Sequence, residues 1–287
     1  MIHSDEAGRR RGFWLTLSGV LILTPDTLLI RLIDIDPWTM NFWRGSMMAF
    51  SLFIGYFLVR GKSTVNDIMK LGFAGLWIAG LYALNAITFV FAVNLTLVAN
   101  VLIILSTTPL IAALLSIFIL KEDISKATWT AIIFGIMGVA ILVGNSIQAA
   151  NVIGDIFSLI TAFSLAVTFI IIRKYKKLNM IPATALGAAL SAVISFPLAD
   201  PMSIEPNNWG LLFLLGLIVM PLSFALITFG LRLLPAPEVA LLMLIETVLG
   251  PLWVGIVINE IPDSRTLIGG GIIIFAVLLQ ALWRIKR

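Results

Sequence analysis

LPAPEVALLMLIETVLGPLWVGIVINE, residues 234–260, is long enough to cross a bilayer, yet it carries Glu246 near its middle and Pro251 little more than one turn later. About 20 apolar residues suffice for a helical span. A carboxylate at the centre of such a helix costs about 2.5–3.5 kcal/mol on insertion scales, and a proline removes a backbone hydrogen bond, so neither belongs in a helix that only fills space. A helix of this kind lines something wet. The reading that follows is a multi-pass membrane carrier.

Composition agrees. Of 287 residues, 60% are hydrophobic and 12% charged, and the mean hydropathy is +1.07. Soluble domains are about half apolar and a quarter charged. With no cysteine, disulfides, thiolate metal sites and thiol catalysis are excluded. The basic residues are scattered between apolar runs, so the net charge of +4 does not indicate a nucleic-acid partner. The N-terminal MIHSDEAGRRRG is polar and no small-residue cleavage site follows, which predicts a retained first span rather than a signal peptide.

Apolar runs predict ten spans, at residues 12–32, 38–59, 71–93, 98–119, 127–146, 153–172, 181–199, 209–231, 236–258 and 266–283. If the N-terminus lies inside, the inner side collects Arg9 to Arg11, Arg60, Lys62, Lys70, Lys121, Lys126, Arg173, Lys174, Lys176, Lys177, Arg232, Arg284, Lys286 and Arg287, while the outer loops receive Arg265 alone. That asymmetry predicts an even number of spans with both termini in the cytoplasm, in the inner membrane. The opposite loops carry Asp34, Asp36, Asp200, Glu205, Glu260 and Asp263.

Displacing the chain by 138 residues aligns Phe91–Glu122 with Phe229–Glu260 without a gap, with Phe91 on Phe229, Leu95 on Leu233, Val101 on Val239, Leu114 on Leu252 and Glu122 on Glu260. Each segment is the fourth span of a five-span half, predicted as residues 1–148 and 149–287. Five is odd, so the halves run through the membrane in opposite directions. Inverted repeats of this kind place a substrate site near the midplane between them.

IDPWTMNFWRG, residues 35–45, with Pro37 and Arg44 entering span two, and the endings ILKED and VINEI, with Glu122 and Glu260 after each fourth span, resemble the EamA type of the drug/metabolite transporter superfamily. The likeness covers the whole chain. It implies an all-α integral membrane protein of ten helices in two inverted five-helix repeats, transporting small organic metabolites by alternating access and without a cofactor. Within the superfamily the overall likeness is to YddG-like exporters of aromatic and other amino acids. Two departures stand out: Asp26 occupies a place in span one where a small or aromatic residue is usual, and Pro251 lies later than the family's proline.

Asp26 and Arg44 each lie about six residues below the outer end of their span, roughly 9 Å at 1.5 Å per residue, so antiparallel neighbours bring them to one depth. They form either a structural ion pair or a contact for a zwitterionic solute. Glu246 has no basic residue at its depth, which points to a water-filled cavity, with a role in ligand or proton binding, or to a protonated contact between helices. Span three places Tyr82, Asn85 and Thr88 along one face, and span six does the same with Thr161, Ser164 and Thr168. Span four carries Asn100, Thr107 and the kinking Pro109; span eight carries Pro221, Ser223, Phe224 and Thr228. The expected solute-binding set is therefore Tyr82, Asn85, Asn100, Thr107, Ser164, Phe224, Thr228 and Glu246, with Asp26, Arg44, Pro109, Pro221 and Pro251 structural or gating. For any single hydroxyl the alternative is packing, since interhelical hydroxyl bonds are common in membranes.

Trp14, Trp38, Trp209 and Trp283 sit at span ends as an interfacial belt. The triplet Gly269 to Gly271 lacks a preceding strand and is not a nucleotide loop. The rival readings are a translocator of drug-like cations, nucleotide sugars or lipid-linked substrates on the same fold, and an intramembrane enzyme. The enzyme is disfavoured because the single histidine, His3, lies in the N-terminal tail and no metal-ligand spacing occurs. The expected partners are a small-molecule substrate and the bilayer, the expected state a monomer with a dimer as the alternative, and no metal is expected.

Overall fold

A computed structural model describes residues 2–96, 98–143 and 152–258, together with 268, 269, 271–273, 275, 276 and 279. Every element among them is helical. In a bilayer only a backbone that satisfies its own polar groups can span, so runs this apolar fold as helices. Six segments are long and apolar enough to cross: Ala7–Ile33, Pro37–Arg60, Gly72–Leu95, Val152–Lys174, Ile181–Leu198 and Pro206–Leu233, with Thr108–Leu120 a shorter apolar helix. The chain is a multi-pass membrane protein. Large apolar side chains such as Phe50, Phe73, Phe118 and Phe163 point outward, as a lipid-facing surface requires.

The first span is two helices, α1 (Ile2–Leu23) and α2 (Asp26–Ile33). Pro25 cannot donate to the helical ladder, and the Thr24 hydroxyl takes up the carbonyl of Leu21 at 2.8 Å. Helix α3 (Pro37–Arg60) starts on Asp36, whose carboxylate accepts from the amides of Trp38 and Thr39. A short helix absent from the sequence-based expectation follows, α4 (Ser63–Lys70). It is bounded by Gly61 and Gly72, both at positive φ, and is anchored where Asp67 accepts from the Tyr56 hydroxyl at 2.8 Å and from Arg60 Nε at 3.0 Å. These two donors, Tyr56 first, hold the Asp67 carboxyl below the usual carboxylate range.

Helix α5 (Gly72–Leu95) is unbroken. Span four is divided into α6 (Val98–Leu105) and α7 (Thr108–Leu115), the latter running into a π-helical turn, Ser116–Leu120. Pro109 occupies the first turn of α7, where a missing N–H costs nothing. Helix α8 (Lys126–Val143) and helix α9 (Val152–Lys174) follow, then α10 (Ile181–Ser195). Span eight opens as α11 (Trp209–Phe213), widens into a π-helical stretch, Leu214–Val219, and continues as α12 (Met220–Leu233) with Pro221 in its first turn. The wide turn is held from outside the helix, since Ser51 Oγ donates to the carbonyl of Leu217 at 2.7 Å. Helix α13 (Ala236–Ile258) is continuous past position 251, unlike span four at Pro109. The side chain of Pro251 and most of the expected tenth span lie outside the described residues.

Helices α3 and α10, α5 and α9, α1 and α12, and α7 and α13 form principal pairs. Each pair joins the first 143 residues to those beyond 152. Close approach at α10 rests on glycine: a Cβ at Gly187 would stand 2.6 Å from Tyr82 Cβ and 2.8 Å from the carbonyl of Ala79. Gly80, with nothing within 4 Å, is the contrast. Gly187→Val therefore lowers the melting temperature of the purified protein in detergent by several degrees, an overpacking cost of about 1–3 kcal/mol. Gly80→Ala leaves it unchanged or raises it. Equal effects from both would refute this packing account.

Candidate functional site

The break before α2 sets Asp26 at the start of a helix, 2% exposed, and places it against Arg44 of α3, 5% exposed. Arg44 Nη2 lies 2.5 Å from Asp26 Oδ2 and 3.1 Å from Met220 Sδ, and the guanidinium carbon sits 5.5 Å from the centre of the Phe89 ring. Its position is therefore fixed from three helices. Asp26 Oδ1 and Arg44 Nε are buried without a hydrogen-bond partner among the described residues. The pair keeps one acceptor and one donor in reserve.

Both residues line a cavity of about 40 Å³ between the halves, with Tyr82, Asn85, Phe89, Met220, Phe224, Met243 and Glu246 also in its wall. Glu246 projects from α13, is 8% exposed, and makes no hydrogen bond or ion pair among the described residues. A second, narrower space of about 10 Å³ adjoins it, lined by Thr168, Ile172, Thr184, Thr228 and Leu231. The two share Tyr82, Asn85, Leu165 and Phe224. Tyr82 and Phe224 meet edge to face with centroids 5.2 Å apart, and the Tyr82 hydroxyl donates to Met48 Sδ at 2.9 Å.

Beyond the cavities the bundle is tied at both ends. At the basic end Arg173 Nε meets Glu122 Oε1 at 2.9 Å, Arg173 Nη1 donates to the carbonyl of Arg232, and Arg232 Nε to that of Lys176. At the acidic end Asn208 donates to the carbonyl of Ile33, the Asp200 amide to Thr39 Oγ1, and Trp43 stacks edge-on against Trp209.

Of the residues expected to bind solute, Tyr82, Asn85, Phe224, Thr228 and Glu246 line these spaces. Ser164 and Thr107 do not. Ser164 Oγ donates to the carbonyl of Thr161, and Thr107 Oγ1 to that of Ile104 at the break in span four, because a hydroxyl in a helix finds the carbonyl of its own preceding turn first. The side chain of Asn100 lies outside the described residues. Pro221 stands beside Met220, which carries the contact to Arg44. Phe89, Met220 and Met243 were not expected from the sequence. Met243 precedes Glu246 by three residues, so helical spacing placed it on the same face.

The chain matches the EamA-like transporter family over residues 10–144 and again over residues 152–282. It is 30% identical over 173 residues to an S-adenosylmethionine uptake transporter of Rickettsia bellii (strain RML369-C), covering 59% of each chain, and 28% identical over 173 residues to that of Rickettsia prowazekii (strain Madrid E), covering 59% of this chain and 58% of the relative. The match thus spans less than two thirds of those relatives. An uncharacterized transporter of Archaeoglobus fulgidus is 25% identical over 279 residues, 94% of this chain and 95% of the relative. A crystal structure superimposes with a TM-score of 0.79 over 98% of both chains at 19% identity, a likeness of fold alone.

Removing one partner of a buried pair leaves the other charge uncompensated, at roughly 3–5 kcal/mol. Asp26→Asn and Arg44→Gln each lower the melting temperature in detergent, and the exchanged pair Asp26→Arg/Arg44→Asp recovers most of that loss. Solute flux through the exchanged protein stays low, because the guanidinium no longer rests on Phe89 and Met220. Full recovery of both readouts would make the pair purely structural.

Proposed function

The chain belongs to the EamA-like transporter family, and on that footing we propose that it is a secondary carrier of small amino-acid-derived solutes bearing a cationic centre, working by alternating access across the cytoplasmic membrane with both termini inside. The observation that carries this reading is Glu246, an acid without a partner among the described residues, in a buried cavity where Arg44 already has its counter-ion. The two carboxyl groups and one guanidinium leave an excess of acid. The rings of Tyr82, Phe89 and Phe224 and the thioethers of Met220 and Met243 suit an ammonium or sulfonium carried on an apolar body. Arg44 Nε is left to meet a carboxylate. The relatives that transport S-adenosylmethionine, an amino acid with a sulfonium centre, support the same class of solute.

Alternating access is supported by the helix pairs. Under the 138-residue displacement span three corresponds to span eight and span six to span one, so the pairing of α5 with α9 has its counterpart in that of α12 with α1. The α3–α10 and α7–α13 pairs each map onto themselves. That symmetry of pairing supports two inverted halves around one site, with the cavity between the tied ends. Net direction follows the gradients, so uptake and export use the same cavity. A nucleotide-sugar or lipid-phosphate translocator is disfavoured, since its anionic substrate would meet an acidic cavity whose single guanidinium is already neutralised.

The test is counterflow into proteoliposomes holding only this protein, with labelled S-adenosylmethionine, arginine, phenylalanine and a nucleotide sugar. Flux is expected for the cationic amino-acid solutes, unchanged chemically on recovery, and Glu246→Gln lowers it at least tenfold while the melting temperature holds. Preference for the nucleotide sugar, chemical conversion of the solute, or full activity in Glu246→Gln overturns the proposal.

A further inference from the structure

Resting on the carrier reading above, the narrower space on the far side of the Tyr82–Phe224 contact has a chemistry of its own. Among the described residues no charged side chain lines it. Its hydroxyls are of two kinds. Thr168 and Thr184 return theirs to the carbonyls of Ser164 and Met180, four residues back in their own helices. Thr228, only 2% exposed, makes no such bond and has no partner among the described residues. Asn85 spends its amide nitrogen on the carbonyl of Thr161 at 3.1 Å, which leaves its side-chain oxygen without a donor. A hydroxyl on a buried residue and an amide oxygen on a half-buried one, neither with a hydrogen-bond partner among the described residues, thus stand in the wall of one space and offer a ligand a donor and two acceptors.

We propose that this space is a second subsite, which receives the uncharged, N–H-bearing end of a solute whose ammonium lies against Glu246 across the aromatic contact. Tyr82 and Phe224, in edge-to-face contact with centroids 5.2 Å apart, then flank the stem that joins the two ends, the small space widens to take the tail, and Asn85, common to both spaces, reads where the charged part stops. The carrier selects for a bipartite amino acid: a charged head and a neutral, donor-rich tail. A tail that is apolar leaves both acceptors dry and unsatisfied, which disfavours it.

Citrulline and norleucine share the head and a stem of three methylenes, and differ in that citrulline continues into a ureido group where norleucine ends in a methyl. In wild-type proteoliposomes citrulline is expected to compete for counterflow more strongly than norleucine. Thr228→Val, close in shape and without the hydroxyl, weakens citrulline about tenfold and leaves norleucine unchanged; Thr228→Ser restores citrulline. Equal losses for the two probes, or no loss for either, overturns the subsite. Because the chain has no cysteine, Thr228→Cys gives a readout that needs no flux: citrulline slows its labelling by a small maleimide and norleucine does not, and identical rates with the two again overturn the subsite. Should neither amino acid compete while citrulline still protects position 228, the amino-acid carrier reading fails and the subsite stands.

Discussion

A charge in hydrocarbon must be neutralised at its own depth, and the Asp26–Arg44 pair is where this chain meets that requirement. Both groups are buried but for the cavity they line, so the two helices that carry them are obliged to stay in register. The break at Pro25 serves this directly. It turns the carboxylate of Asp26 out of the α1 axis and toward α3, and the carbonyl it frees is taken up by Thr24. Thr24 in turn accepts from the indole of Trp253 in α13 at 2.9 Å. One ion pair thereby fixes the relation of spans one, two and nine, and Glu246, on the same helix as that indole, is delivered into the cavity as a consequence.

The same logic applies to the irregular turns that face the interior. A wide turn in lipid would strand its carbonyls, at several kcal/mol for each. The turn in span eight is satisfied by Ser51 from α3, and it rotates Met220 onto Arg44. The gap in span four is closed by the Thr107 hydroxyl. The departures at Pro25, in span eight and at Thr107 are each covered by a named side chain. Those that border the cavity, at Pro25 and at Met220, are also those that shape it.

How much of this could be read from the chain follows from the range of the forces. Six of the expected spans came through among the described residues because insertion depends on summed apolar length, and the Asp26–Arg44 contact because both depths could be counted from loop ends. Helix α4 was missed: eight residues with no sustained apolar run look like a loop until Tyr56 and Arg60 pin Asp67. The π-helical turns were missed because what stabilises them, such as Ser51, lies 166 residues away in sequence. Ser164 and Thr107 were overread for the opposite reason. A hydroxyl is judged by its neighbours in space, and theirs was the carbonyl one turn back. Thr228 looks the same as they do in sequence and differs only in where its hydroxyl is left.

The displacement that relates the two halves sets Thr108 against Glu246 and Pro109 against Thr247. Thr108 is buried with no partner for its hydroxyl among the described residues, and Glu246 likewise has none for its carboxyl. Matching positions have thus both been kept polar and left unsatisfied, but one is neutral and sealed while the other borders open space. An inverted pair of halves with identical walls would present the same face to a solute from either side, and the charge excess would vanish by symmetry only if both positions were neutral. Placing the acid in one half breaks that equivalence at the site itself. The cavity then has a charged side, beside Asp26 and Arg44, and an uncharged side, beside Thr228, so a bipartite solute can lie in it in one orientation only.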